Sequence, residues 1–110
     1  MVNGYVGEGQ LRLLHRAVSP EDPPYVVHGP YHTYADADAR PMEPGRVEEV
    51  AFELLPVSVL FRAGHRIRLA LAGADADTFA DLVPAGDVLE LTVERGPSFP
   101  SRIELPVVPR

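Results

Sequence analysis

Residues 61–73 read Phe-Arg-Ala-Gly-His-Arg-Ile-Arg-Leu-Ala-Leu-Ala-Gly, and this stretch decides the fold. From residue 66 onward, Ile67, Leu69 and Leu71 alternate with arginine or alanine. A period of two places these aliphatic side chains on one side of an extended chain, which is typical of a half-buried strand and not of a helix. We therefore predict a strand whose apolar face belongs to a core.

A turn precedes this strand. Gly64 can adopt the positive φ that a tight reversal often requires. On its other side, residues 57–61 are rich in β-branched and aromatic side chains, which favour strands. The two runs together predict a hairpin with one apolar face that needs a cover.

The same alternation recurs along the chain. It predicts strands at residues 10–17, 47–55, 88–94 and 101–108, so that the chain has six strands at most. Between them, residues 74–86 are compatible with a short helical turn around residues 78–82, capped by Asp75 or Asp77, or with a loop. The sequence therefore predicts an all-β protein.

Segment 18–45 differs from the rest because it holds six of the twelve prolines. Proline removes a hydrogen-bond donor from a β-ladder, so this segment is predicted to be a long loop. We expect Tyr25, Tyr31 and Tyr34 to pin it, with buried rings and solvated hydroxyls. Structureless segments of this length usually bind something or link domains. We interpret residues 18–45 as a proline-rich docking loop.

Composition limits the classes of function. A chain of 110 residues with 45% hydrophobic and 24% charged residues predicts one soluble globular domain, residues 1–110. Its net charge of -6 argues against nucleic acid as a partner. It has no cysteine, which excludes disulfides and thiolate chemistry. No leader-like or membrane-length apolar run is present, so we expect a cytoplasmic protein with no membrane partner.

No residue is predicted to be catalytic. The serines lack a Gly-x-Ser-x-Gly elbow, although Ser58 or Ser101 could be combined with His65 and an aspartate in a hypothetical triad. His65 itself follows the Gly64 turn. A structural role in that turn is favoured over a pH-sensing or catalytic one, which histidine chemistry also permits.

No metal or cofactor site is predicted either. His28, His32 and Asp36 are spaced by four, but Gly29 and Pro30 lie between the histidines and make a common helix face improbable. The Asp-x-Asp pairs at residues 36–38 and 75–77 lack the glycine and distal glutamate of a calcium loop. We expect their carboxylates to be solvated.

Several short motifs occur together in a characteristic order. They are Phe-x-x-Gly-His-Arg-x-Arg-Leu at residues 61–69, Glu-Leu-Leu-Pro at 53–56, Pro-Ser-Arg-Ile-Glu-Leu-Pro-Val at 100–107, Gly-Gln-Leu-Arg at 9–12, His-Arg at 15–16, Pro-Tyr-His at 30–32, Pro41, and Pro-Gly at 44–45. As a set, they resemble the C-terminal non-catalytic domain of the X-Pro dipeptidyl-peptidase and cocaine-esterase-like serine hydrolases. The resemblance covers nearly all 110 residues.

That resemblance implies a jelly-roll (galactose-binding-like) β-sandwich packed against an α/β-hydrolase domain that holds a Ser-His-Asp triad. None of the triad motifs matches this sequence. A jelly roll has eight strands, whereas the alternation here predicts six at most. The chain is therefore predicted to be a β-sandwich truncated at its N-terminal strands.

Missing strands leave unpaired sheet edges and an uncovered apolar face, which invite another chain. We expect an α/β-hydrolase domain or a second copy of this chain to cover them. The main hypothesis is thus a non-catalytic accessory sandwich. The alternative is a free-standing jelly-roll module that binds carbohydrate or peptide, which aromatic residues exposed on one concave face would favour. A hydrolase in its own right is the third hypothesis.

Overall fold

The computed structural model describes residues 4–75, 77–78 and 83–109. The chain divides into two compact units, Met1–His65 and Arg66–Arg110. Whether they form the single domain inferred from the chain length stays a prediction. No described residue belongs to a regular β-strand, so the sandwich fold also stays a prediction.

The regular elements in the described part of the chain are two 3-10 helices, both in the first unit. They span Leu13–His15 and Asp36–Asp38. The first interrupts residues 10–17, so the prediction of a continuous strand there is wrong. The reason is local hydrogen bonding: the backbone N–H of Arg16 and its guanidinium both donate to the carbonyl oxygen of Leu13, each at 3.2 Å. Alternation of side chains carries no information about such a bond.

Backbone hydrogen bonds join distant segments of the first unit. The N–H of Leu55 donates to the Glu8 carbonyl over 2.7 Å, and the N–H of Ser19 donates to the Tyr31 carbonyl over 2.8 Å. The second of these bonds lies within segment 18–45, whose described residues have no regular element apart from Asp36–Asp38. The interpretation of residues 18–45 as a proline-rich docking loop stays a prediction, since the described residues of the predicted strands also lack regular β-structure.

The turn expected at Gly64 is confirmed. Gly64 has a φ of 85°, and the N–H of His65 donates to the carbonyl of Arg62 over 3.0 Å. Glycine adopts this left-handed conformation without the steric cost that a Cβ atom imposes. The pairing of the two arms of the predicted hairpin stays a prediction.

In the second unit, two pairs of segments approach each other. A Cβ atom placed on Gly73 would lie 2.7 Å from the Leu89 side chain and 3.6 Å from that of Leu91, so Gly73 lies against these two leucines. The Ser101 hydroxyl donates to the Glu94 carbonyl over 2.5 Å, across the bend at residues 96–99. Residues 79–82, on which the alternative of a short helix depends, lie outside the described residues.

The expected core of the second unit is not buried. Ile67, Leu69 and Leu71 are 53%, 56% and 59% exposed, so the prediction that they form a core within this chain is wrong. The apolar face of an extended segment is buried only when a second layer packs on it. Among the described residues, no hydrophobic side chain is fully buried.

Candidate docking surface and tyrosine pocket

Residues weighed for catalysis have structural roles where the structure describes them. The Ser101 hydroxyl is engaged with the Glu94 carbonyl. His65 closes its turn through its backbone N–H, while its side chain is exposed. These contacts link Ser101 to the segment before the bend at residues 96–99 and place His65 at the end of its turn. The absence of catalytic residues nevertheless stays a prediction.

The three residues spaced by four are used differently from one another. His32 is buried and binds main-chain carbonyls, whereas His28 and Asp36 are exposed. Within the described ranges, no group of three His, Asp or Glu side chains is arranged to hold a metal ion. The Asp38 carboxylate was expected to be solvated, but it accepts a hydrogen bond from the Thr33 hydroxyl, with 2.5 Å between the two oxygens.

His32 is the centre of the first unit. It is 6% exposed, and it is the buried polar side chain of the described structure. Its Nδ1 lies 3.0 Å from the Ala17 carbonyl oxygen and its Nε2 lies 2.9 Å from that of Ala51. A neutral imidazole can donate to one of these oxygens, whereas the doubly protonated ring can donate to both. In either form, the ring bridges two segments that are far apart in sequence.

A second polar cluster surrounds Arg16, whose side chain is 10% exposed. Its guanidinium donates to the carbonyls of Leu13 and Arg40 and pairs with Glu48 at 3.4 Å. Arg46 approaches the same Glu48 carboxylate at 3.0 Å from a more exposed position. These charge-assisted hydrogen bonds connect the first 3-10 helix to the backbone at Arg40 and to the side chain of Glu48.

A small pocket next to His32 has aromatic walls. Its volume is about 70 Å³, and its aromatic lining consists of Tyr25, Tyr31, Tyr34, Phe52 and the His32 ring. The rings of Tyr25 and Tyr31 are nearly perpendicular, at 87°, with centroids 5.9 Å apart. Tyr25 and Tyr34 are more than half exposed, so the expectation that their rings are buried is wrong. We call this set of five residues the tyrosine pocket.

A larger cleft of about 310 Å³ is lined by residues 17–21 together with Thr33, Asp38 and Arg40. Its polar lining includes Thr33 and Asp38, which are hydrogen-bonded to each other, and Arg40, which donates to the carbonyls of Ala37 and Ala39. Thr33, Asp38 and Arg40 thus form hydrogen bonds within residues 33–40. Glu21 also lines the cleft.

The second unit presents a broad apolar surface. Eight aliphatic side chains of its alternating segments are 42% to 59% exposed: Ile67, Leu69, Leu71, Leu89, Leu91, Val93, Ile103 and Leu105. We call these eight residues the apolar surface. Exposed apolar side chains that lie together mark interaction sites. A Cβ atom on Gly73 would contact both Leu89 and Leu91, so the end of the first of these segments lies beside the second. The alternation identified all eight residues, but as a core rather than as a surface.

Sequence reasoning missed two features of the first unit. The first is the role of His32 as a buried bridge between two carbonyls, since His32 was considered only as a metal ligand. The second is the position of Glu53 in the lining of a pocket. Both depend on which segments lie side by side. A histidine within a proline-rich loop is the one signal that could have drawn attention to a buried anchor, because a loop needs side chains to hold its backbone in place.

The described residues include no helix with the length and apolar character needed to cross a membrane. The expected cytoplasmic location stays a prediction.

Comparison with known proteins gives a specific result. Residues 3–101 match the family model described as the X-Pro dipeptidyl-peptidase C-terminal non-catalytic domain. Two mycobacterial proteins, from Mycobacterium bovis and Mycobacterium tuberculosis, are each 49% identical to this chain over 104 residues, and both bear the name "Putative serine esterase". The match covers 94% of this chain but 16% of each relative. No solved structure matches.

Proposed function

This chain belongs to the X-Pro dipeptidyl-peptidase C-terminal non-catalytic domain family, and from that premise we propose that it is the accessory β-sandwich of a serine hydrolase. In this proposal, the chain packs against a catalytic α/β-hydrolase domain, completes its own jelly roll there, and contributes no catalytic residue. The hydrolase domain supplies the Ser-His-Asp triad.

The observation that carries this proposal is the apolar surface. Its eight aliphatic side chains belong to three alternating segments, and each remains 42% to 59% exposed. Burial of apolar area is favourable by about 25 cal/mol per Å², so a partner that covers these segments gains affinity. Obligate interfaces are more apolar than transient ones and resemble a domain core cut in half. A permanent partner domain is the occupant that this composition favours.

The lengths of the relatives support a partner of this kind. This chain spans 16% of the length of the two mycobacterial relatives that it matches. Their names refer to a serine esterase, and the matched segment belongs to a family described as non-catalytic. We infer that the esterase chemistry of such proteins lies outside the segment that corresponds to this chain.

Self-association is the second form of the same proposal, because a second copy presents the same apolar surface. The two forms differ in stoichiometry. Light scattering after size exclusion distinguishes them: a dimer at micromolar concentration supports self-association, whereas a clean monomer excludes it and leaves the hydrolase domain as the partner.

A free-standing binding module for carbohydrate or peptide is the second candidate function. The observation that favours it is the tyrosine pocket, where Tyr25 and Tyr34 are exposed beside the same small concavity. Aromatic side chains with a polar tip are suited to recognition because one end is apolar and the other stays wet.

Reconstitution tests the main proposal. The Mycobacterium tuberculosis relative is produced without the 104-residue stretch that aligns with this chain, and the chain is then added in trans. We expect a one-to-one complex and a gain in hydrolysis of a chromogenic acyl ester, with no hydrolysis by the chain alone. If no complex forms and activity is unchanged, the accessory role is wrong.

Matched substitutions show which surface is used. Leu69→Asp with Leu91→Asp places two charges on the apolar surface and should abolish complex formation. Val26→Asp is the control, because Val26 is an exposed aliphatic residue of the first unit, at 83%. Equal loss of binding in both variants would contradict the assignment of the apolar surface as the docking site.

A further inference from the structure

The tyrosine pocket combines aromatic walls with a carboxylate for which no salt bridge is found in the described part of the chain. Glu53 lines the pocket beside the aromatic rings, and no arginine lines it. The salt bridges of the first unit use Glu43 and Glu48, and within its described residues none involves Glu53. One carboxylate oxygen of Glu53 accepts the backbone N–H of His28 over 3.0 Å. The other oxygen remains available to a ligand.

We propose that this pocket binds an alkylammonium group, such as the head of choline or of a methylated lysine. The faces of tyrosine and phenylalanine rings carry negative charge density, so they attract a cation that sits within about 6 Å of the ring centroid. Tyr25 and Tyr31 meet at 87°, which gives the pocket two walls instead of one flat platform. Glu53 adds a full negative charge at the rim.

The volume and the lining of the pocket restrict which ligands can bind. The pocket volume of about 70 Å³ is far below the roughly 300 to 1,000 Å³ of pockets that enclose drug-sized molecules, so only a small group enters. Both ring nitrogens of His32 are occupied by main-chain carbonyls. The ring therefore offers an aromatic face and no free donor. The lining also includes the Gln10 amide and the tyrosine hydroxyls, so the preference for a cation over a neutral ligand depends on the aromatic faces and the Glu53 carboxylate.

Tyr34 provides an independent sign that the pocket is functional. It has a φ of 57°, in the left-handed region that residues other than glycine, asparagine and aspartate adopt rarely. The centroid of its ring lies 5.4 Å from the ring centroid of His15 and 6.3 Å from that of His32. Residues held in such conformations cluster at binding and active sites. Here the conformation accompanies a tyrosine that is half exposed at the pocket rim.

This inference is independent of the docking role, because the pocket belongs entirely to the first unit and the apolar surface to the second. Failure of one leaves the other intact. The ligand could be a free small molecule or a side chain of a peptide, since both present the same ammonium chemistry.

Ligand titration followed by NMR tests the proposal on the full 110-residue chain. Choline is compared with 3,3-dimethyl-1-butanol, which has the same shape without the charge. We expect choline to bind at least about tenfold more tightly and to shift the ring signals of Tyr25 and Tyr31. Equal affinities, or shifts confined to other residues, would overturn the proposal. A trimethyllysine peptide forms the second arm: tighter binding than choline identifies a peptide as the source, and weaker binding identifies a free cation.

Two variants locate the site. Glu53→Gln should weaken choline binding about fivefold or more, while Glu49→Gln, a nearby exposed glutamate, should leave it unchanged. If Glu53→Gln disturbs the amide spectrum, Tyr25→Leu provides the same test by removing one aromatic wall. Unchanged affinity in a folded Glu53→Gln or Tyr25→Leu variant would contradict the assignment.

Discussion

The first unit contains a buried polar network, whereas every described residue of the second unit except Val83 is exposed. In the first, His32 is buried between two carbonyls, and Arg16 ties a 3-10 helix to two other segments. In the second, Leu69 and its alternating neighbours are about half exposed. Exposed aliphatic side chains occur in both units, since Leu55, Val57 and Leu60 of the first unit are 57%, 57% and 58% exposed. Among the described residues, the first unit differs by adding buried polar contacts that hold its loop.

The difference follows from what each kind of segment needs. A loop needs specific hydrogen bonds, which it can form with its own chain. A strand with one apolar face needs a second layer, and no amount of local hydrogen bonding supplies it. The two units therefore differ in their buried polar contacts, and under the proposed function the second unit is the one that a partner would cover. Substitutions in the two units should behave accordingly.

The largest effect is expected at His32. His32→Ala removes the ring and leaves the carbonyls of Ala17 and Ala51 without their partner, so the free energy of unfolding should fall by about 2 to 4 kcal/mol. Urea denaturation of the isolated chain measures it. His28→Ala, at an exposed histidine of the same loop, is the control and should change little. Equal stability of both variants would show that the His32 bridge does not anchor the first unit.

An intermediate effect is expected at Arg16. Arg16→Ala should cost about 1 to 3 kcal/mol, because this guanidinium is 10% exposed and binds main-chain carbonyls as well as Glu48. Arg46 is the other partner of Glu48, and its side chain is 60% exposed. Arg46→Ala should therefore lower the free energy of unfolding by under about 1 kcal/mol. Urea denaturation at low and at high salt measures the free energy of unfolding of both variants. A larger loss for Arg46→Ala would reverse the order that burial predicts.

The smallest effect is expected at Leu69 in the isolated chain. A fully buried leucine replaced by alanine costs about 2 to 5 kcal/mol. Leu69 is 56% exposed, so Leu69→Ala should cost under about 1 kcal/mol until a partner covers it. Val88→Ala, at a residue 90% exposed, is the control. A loss above about 2 kcal/mol in the isolated chain would mean that Leu69 is buried within it and that the two units do not differ.

The sequence predicted family membership and local turns well, because both depend on residues near one another in the chain. The positive φ of Gly64 is an example, and the motif set around residues 61–69 led to the correct family. It failed where the outcome depends on neighbours distant in sequence. Alternation at residues 10–17 gave no sign that Arg16 would close a helical turn. The alternation also predicted that Leu69 faces a core, but it could not show whether this chain contains a second layer that packs on that face. Leu69 is in fact 56% exposed.

Hydrogen–deuterium exchange of the chain, alone and with the catalytic part of its mycobacterial relative, tests the central claim most directly. The account predicts that amides in residues 66–73, 88–94 and 101–107 exchange more slowly once the partner is added, while those around His32 are already protected and change little. If these three segments exchange at the same rate with and without the partner, the apolar surface is not a docking surface.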